Sequence, residues 1–238
     1  MALGTALTAA FTVSTTASTH NTPLATDGVT ALQSTFDAGG KLTVCLMSYW
    51  HDYEGNEPPD GGNYTRVSTY YSEYTGTGRD PQLKWVWSGG GTGDVYSEGS
   101  GNDDDTYLAY YNLDDSLTWA QMRGDETTSG LGRNDSRTYY GSGVNARRFS
   151  GRGSVIRDIT RSYFVFNISG EAVPSGETIA SGSLHFFLDN FGTSTGDSAK
   201  IIAVQATAMA GDATDFGNCF VADTVTPSQN ATFFGANF

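Results

Sequence analysis

Cysteine is almost missing from this chain. Cys45 and Cys219 are the only two among 238 residues, too few for a disulfide scaffold and without the spacing of a metal site. Each has apolar neighbours, Val44 and Leu46 for one, Phe220 and Val221 for the other. That setting fits two buried thiols, with a single disulfide between distant segments as the alternative. Basic residues are also few: 13 Lys and Arg face 26 Asp and Glu, a formal net charge of −13. This argues against nucleic acid, whose phosphates call for clustered cations with little opposing charge. Apolar runs extend only a few residues, so no transmembrane helix is expected. The first ten residues, Met1 to Ala10, lack a basic stretch and a continuous apolar stretch and do not read as a signal peptide. The expectation is a product made in a cytoplasm, with an extracellular role reached through cell lysis or an unusual export route.

What the chain has in quantity is glycine (30 residues), aromatic side chains (13%) and enough hydrophobic residues (38%) to bury a core. No segment shows sustained helical periodicity, so the expectation is all-β, short strands joined by glycine turns. Strands are expected at Phe11–Val13, at Lys41–Trp50, over a Tyr-rich stretch at 64–74, and at Leu83–Trp87. The second part opens with 106–117 and a polar region at 123–152, after which strands are expected at 161–168, 178–179, 184–188 and 201–206. Leu42, Val44 and Leu46 alternate with Thr43, Cys45 and Met47, and Leu83, Trp85 and Trp87 share one face, the period-two pattern of a sheet. Between the two parts, Gly89, Gly90, Gly91, Gly93, Gly99 and Gly101 with Asp103, Asp104 and Asp105 read as a pliable linker. The expected organisation is 1–88, a linker at 89–105, and 106–238.

Several motifs resemble a known family. Arg161-Ser-Tyr-Phe-Val-Phe-Asn-Ile-Ser169, Pro174-Ser-Gly-Glu-Thr-Ile179 and Ser181-Gly-Ser-Leu-His-Phe186 are similar to the DNRLRE-type jelly-roll domains of secreted bacterial and phage structural proteins. Ile202-Ala-Val-Gln205 and Thr214-Asp-Phe-Gly217 resemble the segment that follows there. Leu42 to Met47, the Asp52 loop with Pro58-Pro59, and Asp80-Pro-Gln-Leu-Lys-Trp-Val86 look like the closing end of that domain, here placed first. The resemblance implies an antiparallel jelly-roll sandwich with its halves in permuted order: residues 1–88 the closing half, 106–238 the opening half. The halves then complete each other within one chain, as a circular permutant or an independent fold, or complete those of neighbouring subunits in a head-to-tail filament. In a swapped filament, an oxidised Cys45–Cys219 pair would link subunits.

The function expected is a non-enzymatic structural subunit of an extracellular assembly or phage virion, whether fibre, filament, decoration or tail component. Its partners would be copies of itself or other virion proteins, joined by β-strand contacts, with no nucleic acid and no membrane. Apolar residues near both termini, Phe11, Val13, Phe233, Phe234 and Phe238, are the candidate assembly contacts. No nucleophile elbow, P-loop or HExxH motif occurs, and His20, His51 and His185 lack metal-ligand spacing. Asp52 with Glu54, and Asp114 with Asp115, are carboxylate pairs of the sort used in glycoside hydrolysis, but such pairs are common in acidic loops. No cofactor is expected, apart from calcium as an option at Asp103, Asp104 and Asp105. The alternative function is a carbohydrate-binding module for host or surface glycans, with Trp50, Asp52 and Tyr53 as its contacts. The arginines from Arg133 to Arg161 follow an acidic stretch from Asp94 to Glu126; intramolecular pairing is one reading, complementary patches between subunits the other.

Overall fold

The computed structural model describes residues 2–13, 18–61, 65–71, 77–98, 105–112, 116–124, 143–151, 154–190, 200–207, 216–217 and 219–221. In chain order the elements are β1 (Ala2–Leu3), β2 (Phe11–Thr12), β3 (Ser18–Pro23), α1 (Thr26–Ala38) and β4 (Lys41–Ser48), followed by a π-helical turn at Tyr49–Tyr53. Then come β5 (Thr65–Thr69), β6 (Gln82–Trp87), β7 (Thr92–Tyr96), β8 (Thr106–Asn112), α2 (Trp119–Gly124), β9 (Gly143–Gly151), β10 (Ser154–Asn167), β11 (Ile179–Asn190), β12 (Lys200–Ala206) and β13 (Phe220–Val221).

Eleven strands form one antiparallel sheet in the order β2-β12-β4-β10-β9-β5-β11-β6-β7, with β3 on β11 and β8 on β10; it is not closed into a barrel. Two long strands change partners along their length. β10 pairs with β9 over Ser154–Thr160 and with β4 over Ser162–Asn167. β11 pairs with β6 over Ile179–His185 and with β5 over Leu188–Asn190. These handovers let the sheet fold over on itself as a sandwich: Phe164 of β10 meets Phe186 of β11 at 5.0 Å between ring centroids, although three pairings separate the strands. The all-β class expected from composition, and the antiparallel sandwich that the resemblance implies, agree with the fold observed.

Strand β4 lies between two cores, as its alternation requires. Leu42, Val44 and Leu46 join the core between the layers, with Trp85, Phe164, Leu184 and Phe186. Cys45 and Met47 face a second core with Tyr163, Val165, Ile202, Val204, Trp119, Met122 and Phe216. Strands from both expected halves interleave within one chain: β4 lies between β10 and β12, and β11 pairs with β3, β5 and β6.

Three segments differ from the sequence reading. Thr26–Ala38 is helical, although no helical periodicity was expected. Its buried residues, Gly28, Ala31, Leu32, Thr35 and Phe36, follow the i, i+3, i+4, i+7, i+8 spacing of one helix face, but three of them are too small or too polar to register as apolar. Gly39 ends the helix at φ 61°, the left-handed cap that glycine adopts without strain. Within the expected linker, Thr92–Tyr96 is a strand hairpinned on β6, because a glycine-rich turn from Ser88 to Gly91 reverses the chain on Trp87. Gly143–Gly151, in a stretch taken as simply polar, is β9, whose Asn145, Arg147 and Arg148 side chains are held by ion pairs and hydrogen bonds.

Helix α1 fills the space between the layers. Phe36 packs edge-on against both Trp85 and Trp87, at 5.0 Å each, and Gln33 accepts a hydrogen bond from the Ile179 amide at 2.7 Å. At Gly28 a Cβ would run into the carbonyl oxygen of Leu7. Alanine favours a helix over glycine by about 1 kcal/mol, so Gly28→Ala should stabilise an isolated helix. In this protein it is expected to lower the melting temperature, as differential scanning calorimetry would record, because Leu7 is buried and cannot retreat.

Candidate functional site

The densest set of charged groups lies inside the second core. Ser48 Oγ accepts from the His51 amide at 3.4 Å and starts the π-helical turn, which carries Asp52 inward toward β10. There Arg161, with no exposed surface, grips Asp52, 1% exposed. Arg161 Nε donates to Asp52 Oδ2 at 2.7 Å and Nη2 to Oδ1 at 2.8 Å, a bidentate pair. The remaining donors reach backbone: Nη1 to Phe216 O at 2.8 Å and Nη2 to Arg123 O at 2.9 Å. Arg123, from α2, donates in turn to the carbonyls of Asp52 at 2.6 Å and Tyr53 at 3.0 Å. Trp119 Nε1 donates to His51 O at 3.0 Å, and Tyr163 Oη to Phe216 O at 2.7 Å. The Arg161 guanidinium stacks on the Phe216 ring at 4.1 Å. One side chain thus joins the turn, α2, β10 and the Phe216 segment.

The two cysteines meet beside this network. Cys45 lies opposite Tyr163 in the β4–β10 ladder, and Cys219 rests against it; both are buried free thiols. Burial, with Cys219 as hydrogen-bond partner, pushes the Cys45 thiol well above its ordinary range. Burial works to raise Cys219 as well, but the hydrogen bond with Cys45 and the charge of Arg161 outweigh it, and that thiol sits below its ordinary value.

These positions alter the sequence-derived sites. Asp52 and Tyr53 are buried and Asp52 is fully engaged by Arg161, so neither is available to a glycan. Of the three proposed contacts Trp50 alone faces solvent, at 38% exposure. Val13 is buried in the core between the layers and Phe11 packs against it, so both serve the chain's own fold rather than standing free for assembly. Phe233, Phe234 and Phe238 lie outside the described residues, as do Asp103 and Asp104. Asp105 is buried and accepts from Ser97 Oγ at 3.0 Å, and among the described residues no three potential ligands converge on a metal site. Asn167, which opens the glycosylation-type triplet Asn167-Ile-Ser169, donates to Glu98 at 2.9 Å and accepts from Ser169. Of the arginines between Arg133 and Arg161, the four described ones pair within the chain, though not with the acidic stretch: Arg147 with Asp158, Arg148 and Arg157 with Glu57, Arg161 with Asp52. Among the described residues no helix is long and apolar enough to cross a membrane.

A second arrangement lies on the opposite layer, on the solvent side of β3, β11, β6 and β7. A groove of about 590 Å³ crosses these four strands, lined by Asn21, Lys84, Asp94, Ser181, Ser183 and His185 among others. Burial, then the charge of Lys84, holds the His185 imidazole below its ordinary value. Sequence reasoning placed His185 in a strand but passed over the groove, since its walls come from segments far apart in the chain. No family model, no curated protein and no solved structure matches the chain.

Two outcomes are expected from the buried charges. Asp52→Ala leaves Arg161 buried without its partner and should cost about 3–5 kcal/mol, measured as a lower urea midpoint. Asp158 is the second case. Burial, only partly offset by Arg147 and by hydrogen bonds from Asn145 and Thr160, lifts its carboxyl to about 6. A folded value above the ordinary one means that the protonated form favours the fold. That contribution, on the order of 2–3 kcal/mol, is fully present below about pH 4 and is lost as pH rises through about 6. Asp158→Asn should remove this dependence from a pH series of denaturation curves; an unchanged slope between pH 4 and 6 would contradict the assignment.

Proposed function

We propose that the chain is a non-enzymatic structural subunit that assembles with copies of itself by adding strands edge to edge, in an extracellular assembly or a virion. The observation that carries this reading is the outer edge of the sheet at β7, which meets β10 just beyond its end, where the Glu98 amide donates to Val165 O at 2.8 Å. Among the described strands β7 pairs only with β6. The bonds from Trp87 N to Gly91 O and from Ser97 N to Pro81 O fix the ladder's parity. Gly93 and Val95 therefore turn their amides to β6, and those of Asp94 and Tyr96 point away from it. The edge carries neither lysine nor proline, the residues that usually block strand addition. Its last residue, Tyr96, leaves 41% of its surface exposed.

The interior supports the same reading. Asp52, Arg161, Arg123 and Asp158 are spent on binding elements of the sandwich to one another, an arrangement suited to a rigid building unit. Oxidation of the adjacent Cys45 and Cys219 would add a covalent tie between β4 and the segment that pairs with the N-terminal strand β1.

Light scattering coupled to size-exclusion chromatography across a concentration series tests the proposal. The expected mass is a multiple of the 25.3 kDa chain. Tyr96→Pro, which removes an outward amide without touching the β6 ladder, is expected to return the protein to a monomer while its circular dichroism is unchanged. A wild-type chain that stays a compact monomer at high concentration would end the proposal.

A further inference from the structure

The groove on the outer layer is built from alternate residues of four adjacent strands. Ladder pairings align them in rows: Pro23, Ser183, Lys84 and Asp94 in one, Asn21, His185, Gln82 and Tyr96 in the next, Ser181, Val86 and Thr92 in a third. The rows carry both donors and acceptors, and two of the groups are already oriented. Ser183 Oγ lies 3.1 Å from His185 Nε2, and the Gln82 amide donates to the Asp94 carboxylate. Strands hold these positions more rigidly than loops would. The volume, about 590 Å³, falls within the range of about 300–1,000 Å³ common to small-molecule sites.

Its charge narrows the class of ligand. Lys84 and Asp94 stand opposite each other on β6 and β7, so the one cation and the one anion of the groove offset each other. His185 is held toward its neutral form. In a chain of net charge −13 this face has no excess of either sign, while the field of the whole molecule repels polyanions. A ligand suited to it is uncharged, rich in hydroxyls that both donate and accept, and equipped with apolar faces. Val86 and Pro23 offer apolar surface to such faces, and the exposed Tyr96 ring at the end of its row offers a stacking surface.

We infer that the groove crossing β3, β11, β6 and β7 binds a neutral oligosaccharide through Asn21, Lys84, Asp94, Ser183 and His185. The site is separate from the Trp50 loop and does not depend on self-assembly.

Isothermal titration of the full chain with neutral glucan, mannan and galactan fragments, and with uronate and sulfated oligosaccharides, tests it. At least one neutral fragment is expected to bind saturably. Asp94→Ala, at an exposed edge-strand position, and Ser183→Trp, which fills the groove, should each weaken it about tenfold or more. Tyr111→Ala on β8, outside the groove, should leave binding unchanged, and melting curves establish that each variant is folded. Three results would overturn the inference: no binding of any neutral fragment at millimolar concentration, preference for the acidic sugars, or affinity retained within about twofold in the folded Asp94→Ala protein.

Discussion

Much of this structure depends on one buried ion pair. Arg161 projects from the middle of β10 into a core of aromatic and sulfur-bearing side chains, where a lone guanidinium would carry a desolvation cost of several kcal/mol. Asp52 offsets that cost with two charge-assisted hydrogen bonds, and the carbonyls of Phe216 and Arg123 take the donors that remain. Because each acceptor belongs to a different segment, satisfying one side chain fixes the position of three. The π-helical turn has five residues and α2 six, too short to hold their positions alone. Their places on the outer face of the β12–β4–β10 layer follow from the need to surround Arg161.

The opposite layer is organised by apolar contact. There Trp85, Trp87, Leu184 and Phe186 face inward and α1 closes the space between the layers, with Phe36 against the two tryptophans. The solvent side of the same strands is left to polar residues in aligned rows. The molecule therefore has one layer buried on both faces and another with one face in water. Charged groups buried in the first hold its elements together, whereas those of the second lie on the solvent side, Asp94 bonded to Gln82 and His185 beside Ser183. The assembly and the ligand binding proposed above both fall on this second layer, where the edge strand supplies the outward amides and the Asp94 wall.

Parts of this arrangement were legible in the residues themselves. The alternation in Leu42–Met47 and in Leu83–Trp87 marks strands, since a period of two sends successive side chains to opposite faces; both segments are strands, β6 alternating in burial and β4 buried on both faces because each face meets a core. Helix α1 escaped because Gly28, Ala31 and Thr35 on its buried face lack apolar bulk, and Gly28 is selected by the nearness of Leu7 rather than by helix propensity. Strand β7 escaped because glycines at 89–91 and 93 look alike whether they form a linker or a tight turn. The Asp52 loop was singled out for its aromatic and acidic residues, but no local signal says whether such a carboxylate faces water or an arginine 109 positions away.

Sequence alone determined the class of fold and the sign of the surface. Glycine turns, β-branched and aromatic alternation and a net charge of −13 act locally or in sum, and need no knowledge of which strands meet. Tertiary structure decided everything that rests on long-range pairing: Asp52 against Arg161, Cys45 beside Cys219, and a groove whose walls come from four strands. Each requires the free energy of contacts between distant segments. Where β10 and β11 exchange one partner for another, the folding of the sheet, and not the local order of residues, determines which side chains share a space.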